Sequence, residues 1–250
     1  MKHNYKLLLI LFILLISYIN TNGQERRWKR FELGPRIGIA MSAAIPFPLS
    51  DVPKGANGSP ELNTSLGVFS FVNINDTWAI GLGFDVVKNS FNFDAKVVSQ
   101  RYTSINPITG IKIVQYYTGP TKGSFEFNFI EFPLIARYKF SELFNAHFGL
   151  YFSYIYLHQF GVTAVGGKTG LNPDPDKQSP IPRFQYDFDD DLRNFDWGLT
   201  GGVSKTIIKH LEIGLMLDAG LNNIFQKNFK SLDYKMYQVH LRLNLTYNLL

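Results

Sequence analysis

The 250-residue chain contains no cysteine. That removes disulfide scaffolds, thiolate metal sites and thiol nucleophiles together. An excess of either charge is also missing: 25 Lys and Arg stand against 20 Asp and Glu. Removing residues 1–23 takes away Lys2 and Lys6 and no acid, which leaves 23 basic residues. So small a basic excess does not point to nucleic acid. Long apolar runs are absent as well. The longest, Leu7 to Ile19, is thirteen residues, short of the roughly twenty a spanning helix needs. A helical membrane protein is therefore excluded.

What is present at the start has the order of a secretory signal peptide: Lys2 and Lys6, the apolar run, then Asn20-Thr21-Asn22-Gly23 before Gln24. Residues 1–23 are expected to be cleaved. Residues 24–30 form a basic tail, with Arg26, Arg27, Lys29 and Arg30 around Trp28, expected to be periplasmic. Residues 31–250 are expected to form one β-barrel domain.

Period-two alternation dominates that domain. Val239, Leu241, Leu243, Leu245, Tyr247 and Leu249 alternate with Gln238, His240, Arg242, Asn244, Thr246 and Asn248, as a strand with one apolar face requires. Leu211, Ile213, Leu215 and Leu217 alternate with Glu212, Gly214, Met216 and Asp218. The same pattern recurs from Phe31 to Ser42, Asn63 to Asn73 (facing ambiguous), Trp78 to Val86, Phe125 to Phe140, Phe148 to Tyr156 and Phe195 to Ser204. In the fourth of these eight strands Phe125, Phe127 and Phe129 share one parity. Phe132, Leu134, Ala136, Tyr138 and Phe140 share the other, and one extra residue near Ile130 and Glu131, a β-bulge, accounts for the switch.

The connections alternate in length. Tight turns follow strands two, four and six; long connections, among them Pro46–Pro60, Asn89–Gly123 and Val162–Arg193, follow the others. The expected fold is all-β, an eight-stranded antiparallel up-and-down transmembrane β-barrel. A soluble up-and-down barrel has the same strand count, and periodicity alone does not say which face is outside. Three features favour lipid outside. The polar face carries glycines and charges of both signs. Aromatics sit near the strand ends of the apolar face (Trp78, Phe125, Phe140, Tyr156, Trp197, Tyr247). The strands are long enough to cross an apolar band of roughly 25 Å.

The stretch Phe129-Ile130-Glu131-Phe132-Pro133-Leu134-Ile135-Ala136-Arg137-Tyr138-Lys139-Phe140 resembles a mid-barrel strand of the PorT-like outer-membrane β-barrel family of Bacteroidetes. Gly220-Leu221-Asn222-Asn223-Ile224 resembles that family's usual strand ending, and Gly23-Gln24 its signal-peptide exit. The resemblance implies an outer-membrane barrel with a periplasmic N-terminus and extracellular long loops. It also implies a structural or accessory role beside an envelope machine such as type IX secretion or gliding. The chain departs from the pattern by ending Asn248-Leu249-Leu250 rather than on an aromatic.

An eight-stranded barrel is just wide enough to be filled by its own side chains. The inward candidates are Glu32, Arg36, Asp85, Glu131, Arg137, Asp196, Glu212, Asp218, His240 and Arg242, expected to pair across the lumen as a structural polar network. His147, His158, His210 and His240, with Ser153 and Ser204, were the residues to weigh for hydrolysis. None sits in a nucleophile-elbow pattern, so no catalytic residue and no cofactor is expected. Asp187, Asp189, Asp190 and Asp191 form an acidic loop in which Ca²⁺ binding is the weaker alternative to solvation, because the glycine and terminal Glu of an EF-hand are missing. Tyr102, Tyr116 and Tyr117 serve either a ligand or packing over the mouth. The expected partners are outer-membrane lipid and lipopolysaccharide, together with envelope or secretion-machine proteins, and no nucleic acid.

Overall fold

A computed structural model describes residues 31–48, 56–105, 109–208, 210–227, 229 and 234–249. The expected signal peptide and basic tail lie outside them, as do parts of the first and last long connections. The described chain forms twelve strands and two short 3-10 turns. In order they are β1 (Phe31–Phe47), β2 (Asn57–Pro60), β3 (Leu62–Asn73), β4 (Trp78–Ile105), β5 (Lys112–Lys139) and β6 (Phe144–Val165). Then come β7 (Lys168–Gly170), β8 (Ser179–Pro180), β9 (Arg183–Asp187), β10 (Phe195–Ile208), β11 (Leu211–Gly220) and β12 (Lys235–Tyr247). Eight of them, β1, β3, β4, β5, β6, β10, β11 and β12, pair antiparallel with their neighbours in sequence. The last meets the first, Ile39 opposite Leu243, and closes the ring.

Alternation sets the facing. Leu66, Leu82, Leu134, Leu199, Leu215 and Leu241 all point outward and are exposed, while their neighbours in sequence point in. The ambiguous strand, β3, resolves with Asn63, Ser65, Phe69 and Phe71 inside. One end of the ring holds tight turns at Ile74–Thr77 and Phe140–Leu143. There an outward aromatic belt gathers, with Trp78 4.9 Å from Tyr138 and 5.8 Å from Phe148 by ring centroid.

The other end departs from expectation. Asn89–Ile105 and Lys112–Gly123, expected in a loop, are strand. β4 and β5 continue as 28-residue strands, roughly five times the usual strand length, and their hairpin stands well beyond the ring. β2 pairs along β4, β9 along β6, and β7 and β8 extend from β5. Gly166 and Gly167, at φ 74° and 111°, reverse the chain between β6 and β7. A side chain at Gly167 would press 2.6 Å from the Thr118 carbonyl.

The expected bulge near Ile130 and Glu131 is also absent. From Thr121 to Tyr138, β5 alternates without a break, and Phe125, Phe127, Phe129, Glu131, Pro133, Ile135 and Arg137 all face inward. The chemistry of the two faces changes, and the phase does not. Trp78, Ile80, Leu82, Phe84 and Val86 cover the outside of β4; beyond them Lys88, Asn92 and Asp94 take over that face, and Val87 and Phe91 turn apolar side chains inward. On β5 the switch falls at Ile130 and Phe129, the residues paired with Val86 and Val87. The bulge that does occur lies on β6 at this level, where Asn128 pairs with Leu157 and Phe129 with Ile155, so Tyr156 is the additional residue. Phe125, expected in the outer aromatic belt, is 1% exposed inside the ring.

Candidate functional site: a paired lumen beneath an aromatic mouth

The inside of the ring is built in layers. Nearest the tight turns, Arg137 on β5 donates to both carboxylate oxygens of Glu32 on β1, at 2.8 and 2.6 Å. Asn73 bonds the same pair, and Lys139 Nζ lies 3.5 Å from Glu32. The Arg137 guanidinium lies 3.8 Å over the Phe71 ring, a cation–π contact that adds attraction without a further charge. Glu212 makes no salt bridge to an Arg among the described residues; beside it are Asn145, at 3.3 Å, and His147, at 3.8 Å.

In the middle layers Arg36 grips Asp85 through both ends of the guanidinium, with Nε to Oδ1 at 3.1 Å. Gly67 of β3 sits between them in register, opposite Arg36 on one side and Asp85 on the other. A Cβ there would fall 2.2 Å from Asp85 Oδ1, so glycine is what lets the pair reach across an intervening strand. Arg242 on β12 holds two carboxylates at once, donating to Glu131 at 2.6 Å with Nε 2.7 Å from Asp218. Glu131, Asp85 and Asp218 are at most 1% exposed. Charges this deep persist only when paired. Asp196 takes a hydrogen bond from the Tyr151 hydroxyl at 2.9 Å.

Above the ion pairs lies a neutral layer. His240 Nδ1 is 2.9 Å from Ser42 and 3.2 Å from Asn89, which in turn accepts from Asn63 at 2.9 Å. Then the aromatic interior begins. Phe125 stacks on Phe160 at 3.8 Å and 10°, and Phe91 on Phe125 at 4.7 Å. Ile224, Phe225 and Leu192 fold in from the connections to close the cluster.

All ten inward candidates face the interior, and seven of them meet in direct pairs: Glu32–Arg137, Arg36–Asp85 and Glu131–Arg242–Asp218. Asp196, Glu212 and His240 are held by neutral or His partners instead. Sequence parity could not supply those partners, since Tyr151 and Asn89 carry no formal charge. The packed rings Phe69 and Phe71 were likewise invisible, because they share their strand's inward parity with polar residues.

His147 and Ser204 are brought together, Nε2 to Oγ at 2.7 Å. Glu212 approaches the same ring nitrogen. In a Ser–His–acid relay the carboxylate holds one nitrogen so that the other can serve the hydroxyl, and here both partners share Nε2. Ser153 faces Glu131 inside, at 3.5 Å, and His158 meets Asn194. In the acidic loop Asp189 Oδ1 accepts the Phe160 N–H and Asp187 Oδ1 accepts the Asp189 N–H. Burial, chiefly, pushes the Asp189 carboxyl above its usual range. Among the described residues no three His, Asp or Glu converge as a metal site would require. Tyr102 and Tyr117 are buried against Ala164 in the hairpin extension.

An antiparallel ring, apolar outside and ion-paired inside, is the construction of a lipid-embedded β-barrel. Residues 22–226 match the family described as outer membrane protein beta-barrel domain. The chain belongs to that family, and its place is the bacterial outer membrane. Solved structures are similar over most of the chain at low identity. Ail, the attachment invasion locus protein of Yersinia pestis, is 9% identical, with 88% of this chain and 99% of that one covered at a TM-score of 0.39. Neisserial surface protein A is 12% identical, with 87% and 96% covered at 0.36. OprG of Pseudomonas aeruginosa is 9% identical, with 87% and 92% covered at 0.34. No curated protein matches the chain.

Proposed function

We propose that the protein is a non-enzymatic, non-conducting outer-membrane barrel that anchors a β-extension outside the cell. In this reading its N-terminus is periplasmic, and the β4–β5 hairpin and long connections are extracellular, next to lipopolysaccharide. The carrying observation is the inversion of faces at Val86–Val87 and Phe129–Ile130. Below that level the outside is apolar and the inside ionic. Above it the outside is polar and the inside aromatic, as in a domain standing in water. The cross-lumen pairs support a closed pore, because ions would have to break buried guanidinium–carboxylate contacts to pass. The PorT-like resemblance supports an accessory role beside an envelope assembly such as type IX secretion or gliding, with the extension as the contact surface.

Planar bilayers test the closed pore: the expected result is no steady conductance, and large, regular openings overturn it. The missing cysteines make topology simple to test. An impermeant maleimide should label Lys96→Cys on intact cells and leave Glu142→Cys unlabelled. A gentle-detergent pull-down from the native outer membrane should recover envelope-machine components in stoichiometric amount; recovery of the barrel alone would remove the accessory role. A second reading, a barrel that binds a ligand at its outer end, is favoured by the apolar hollow at the mouth.

A further inference from the structure

Inside the extension, above the stacked phenylalanines, is a hollow of about 240 Å³ that is open to solvent. Like small-molecule sites, it is mostly apolar with few polar groups. Its floor is Phe125 and Phe160, and Phe93, Phe188 and Met236 stand around it. Beneath the floor come Phe127 and Phe129, then the Asn63–Asn89–His240 layer and the ion pairs. The hollow is therefore a cup with a closed base, suited to holding a ligand rather than passing one.

Two features fix the chemistry of the occupant. Among the described residues that line the cup none is acidic, and Arg101 alone is charged. Arg101 is partly exposed, and none of the ion pairs among the described residues includes it. The second feature is depth. Phe125 pairs with Phe160 at the floor, and Thr121 with Ala164 four residues higher. Ala164 packs with Tyr102, the neighbour of Arg101. Four strand residues span about 13 Å. The apolar floor and the level of Arg101 on β4 are thus separated by roughly the length of a medium alkyl chain.

We propose that the cup binds a medium-chain fatty acid, its tail down among Phe93, Phe125 and Phe160 and its carboxylate at Arg101. This deepens, and rests on, the ligand-binding reading above. The test is native mass spectrometry of the full barrel released from non-ionic detergent, with decanoate and decanol as probes. Gel mobility with and without heating reports that each variant is folded. One decanoate should remain bound, and decanol should bind roughly tenfold more weakly, the size expected for losing a charge-assisted hydrogen bond. Arg101→Gln should bring decanoate down to the decanol level. Ala44→Trp, whose ring would occupy the cup from β1, should abolish both adducts.

A folded barrel with no decanoate adduct overturns the proposal, and so does an adduct that survives Ala44→Trp, which would place the probe on the lipid-facing belt. Equal binding of decanol and decanoate removes Arg101 from the site. Bilayer conductance of the same preparation separates the two ideas. A conducting barrel that still binds decanoate refutes the closed lumen and leaves the cup; a silent barrel without an adduct does the reverse.

Discussion

Arg242 is where the lumen is most exposed to perturbation. Its guanidinium lies 2.6 Å from Glu131 and 2.7 Å from Asp218, and all three side chains are at most 4% exposed. Arg242→Met keeps most of the volume and removes the charge, which leaves two carboxylates deep in the barrel without their cation. Removing one partner of a buried ion pair typically costs about 3–5 kcal/mol. That is roughly 10²- to 10⁴-fold in the folding equilibrium. The triple variant Arg242→Met, Glu131→Gln, Asp218→Asn keeps the shapes and removes all three charges. It should recover more than half of the loss, because the cost lies in the stranded charge and not in the missing contact. Reversible urea unfolding in a lipid-like detergent, followed through Trp78 and Trp197, measures both. A loss below about 1 kcal/mol for the single variant, within the scatter of ordinary substitutions, would mean that water solvates Glu131 and Asp218. The lumen would then not be a dry plug.

Other substitutions test other parts of the construction. Gly67→Ala should cost about 1–3 kcal/mol in the same unfolding assay, since its Cβ would press 2.2 Å from both Asp85 Oδ1 and the Phe84 carbonyl. Gly58→Ala, with nothing within 4 Å, should stay within ~0.5 kcal/mol. Leu134→Arg, on the lipid face, should destabilise the barrel by about 2–4 kcal/mol if it lies near mid-membrane. Ser124→Arg, on the same outer face of β5 but above the inversion, should be nearly neutral. Burial raises the phenols of Tyr117 and Tyr186 in the extension above the ordinary value. A folded pKa above the unfolded one means stability that is complete below about pH 10 and is lost as pH rises past it. The Tyr117 hydroxyl donates to the Pro120 carbonyl at 2.8 Å, a bond the phenolate cannot make. Hydrogen exchange should therefore show the extension opening between pH 10 and higher values while the ring below stays protected.

Strand count, ring closure and the inward set were legible because each depends only on parity. Leu241 and Arg242 cannot face the same way, and once one face meets lipid every second residue is assigned. Partners were less legible. Arg36 meets Asp85 across an intervening β3, so the pairing depends on Gly67 being small, and nothing in the alternation of either charged strand announces it. The acidic run Asp187–Asp191 hid its detail for a related reason. Composition left solvation and a weaker Ca²⁺ alternative, whereas in the structure Asp187 and Asp189 use their oxygens to hold backbone N–H groups of a turn.

The instructive failure is Phe125-Phe127-Phe129. Read with Phe132 to Phe140, these residues imply that the apolar face has changed sides, and a bulge is the local way to do that. The strand instead runs on without a break, and it is the surroundings that change. A strand crossing lipid needs apolar side chains outward; the same strand continuing into water needs them inward. Apolar residues must therefore swap parity wherever an unbroken strand leaves the membrane. Two paired strands must swap at the same rung, as β4 does at Val86–Val87 and β5 at Phe129–Ile130. A parity swap matched across a hairpin thus marks the height of the lipid boundary. It also says that the residues beyond it on β4 and β5, Asn89–Ile105 and Lys112–Gly123, are structure with a core of their own and not a loop.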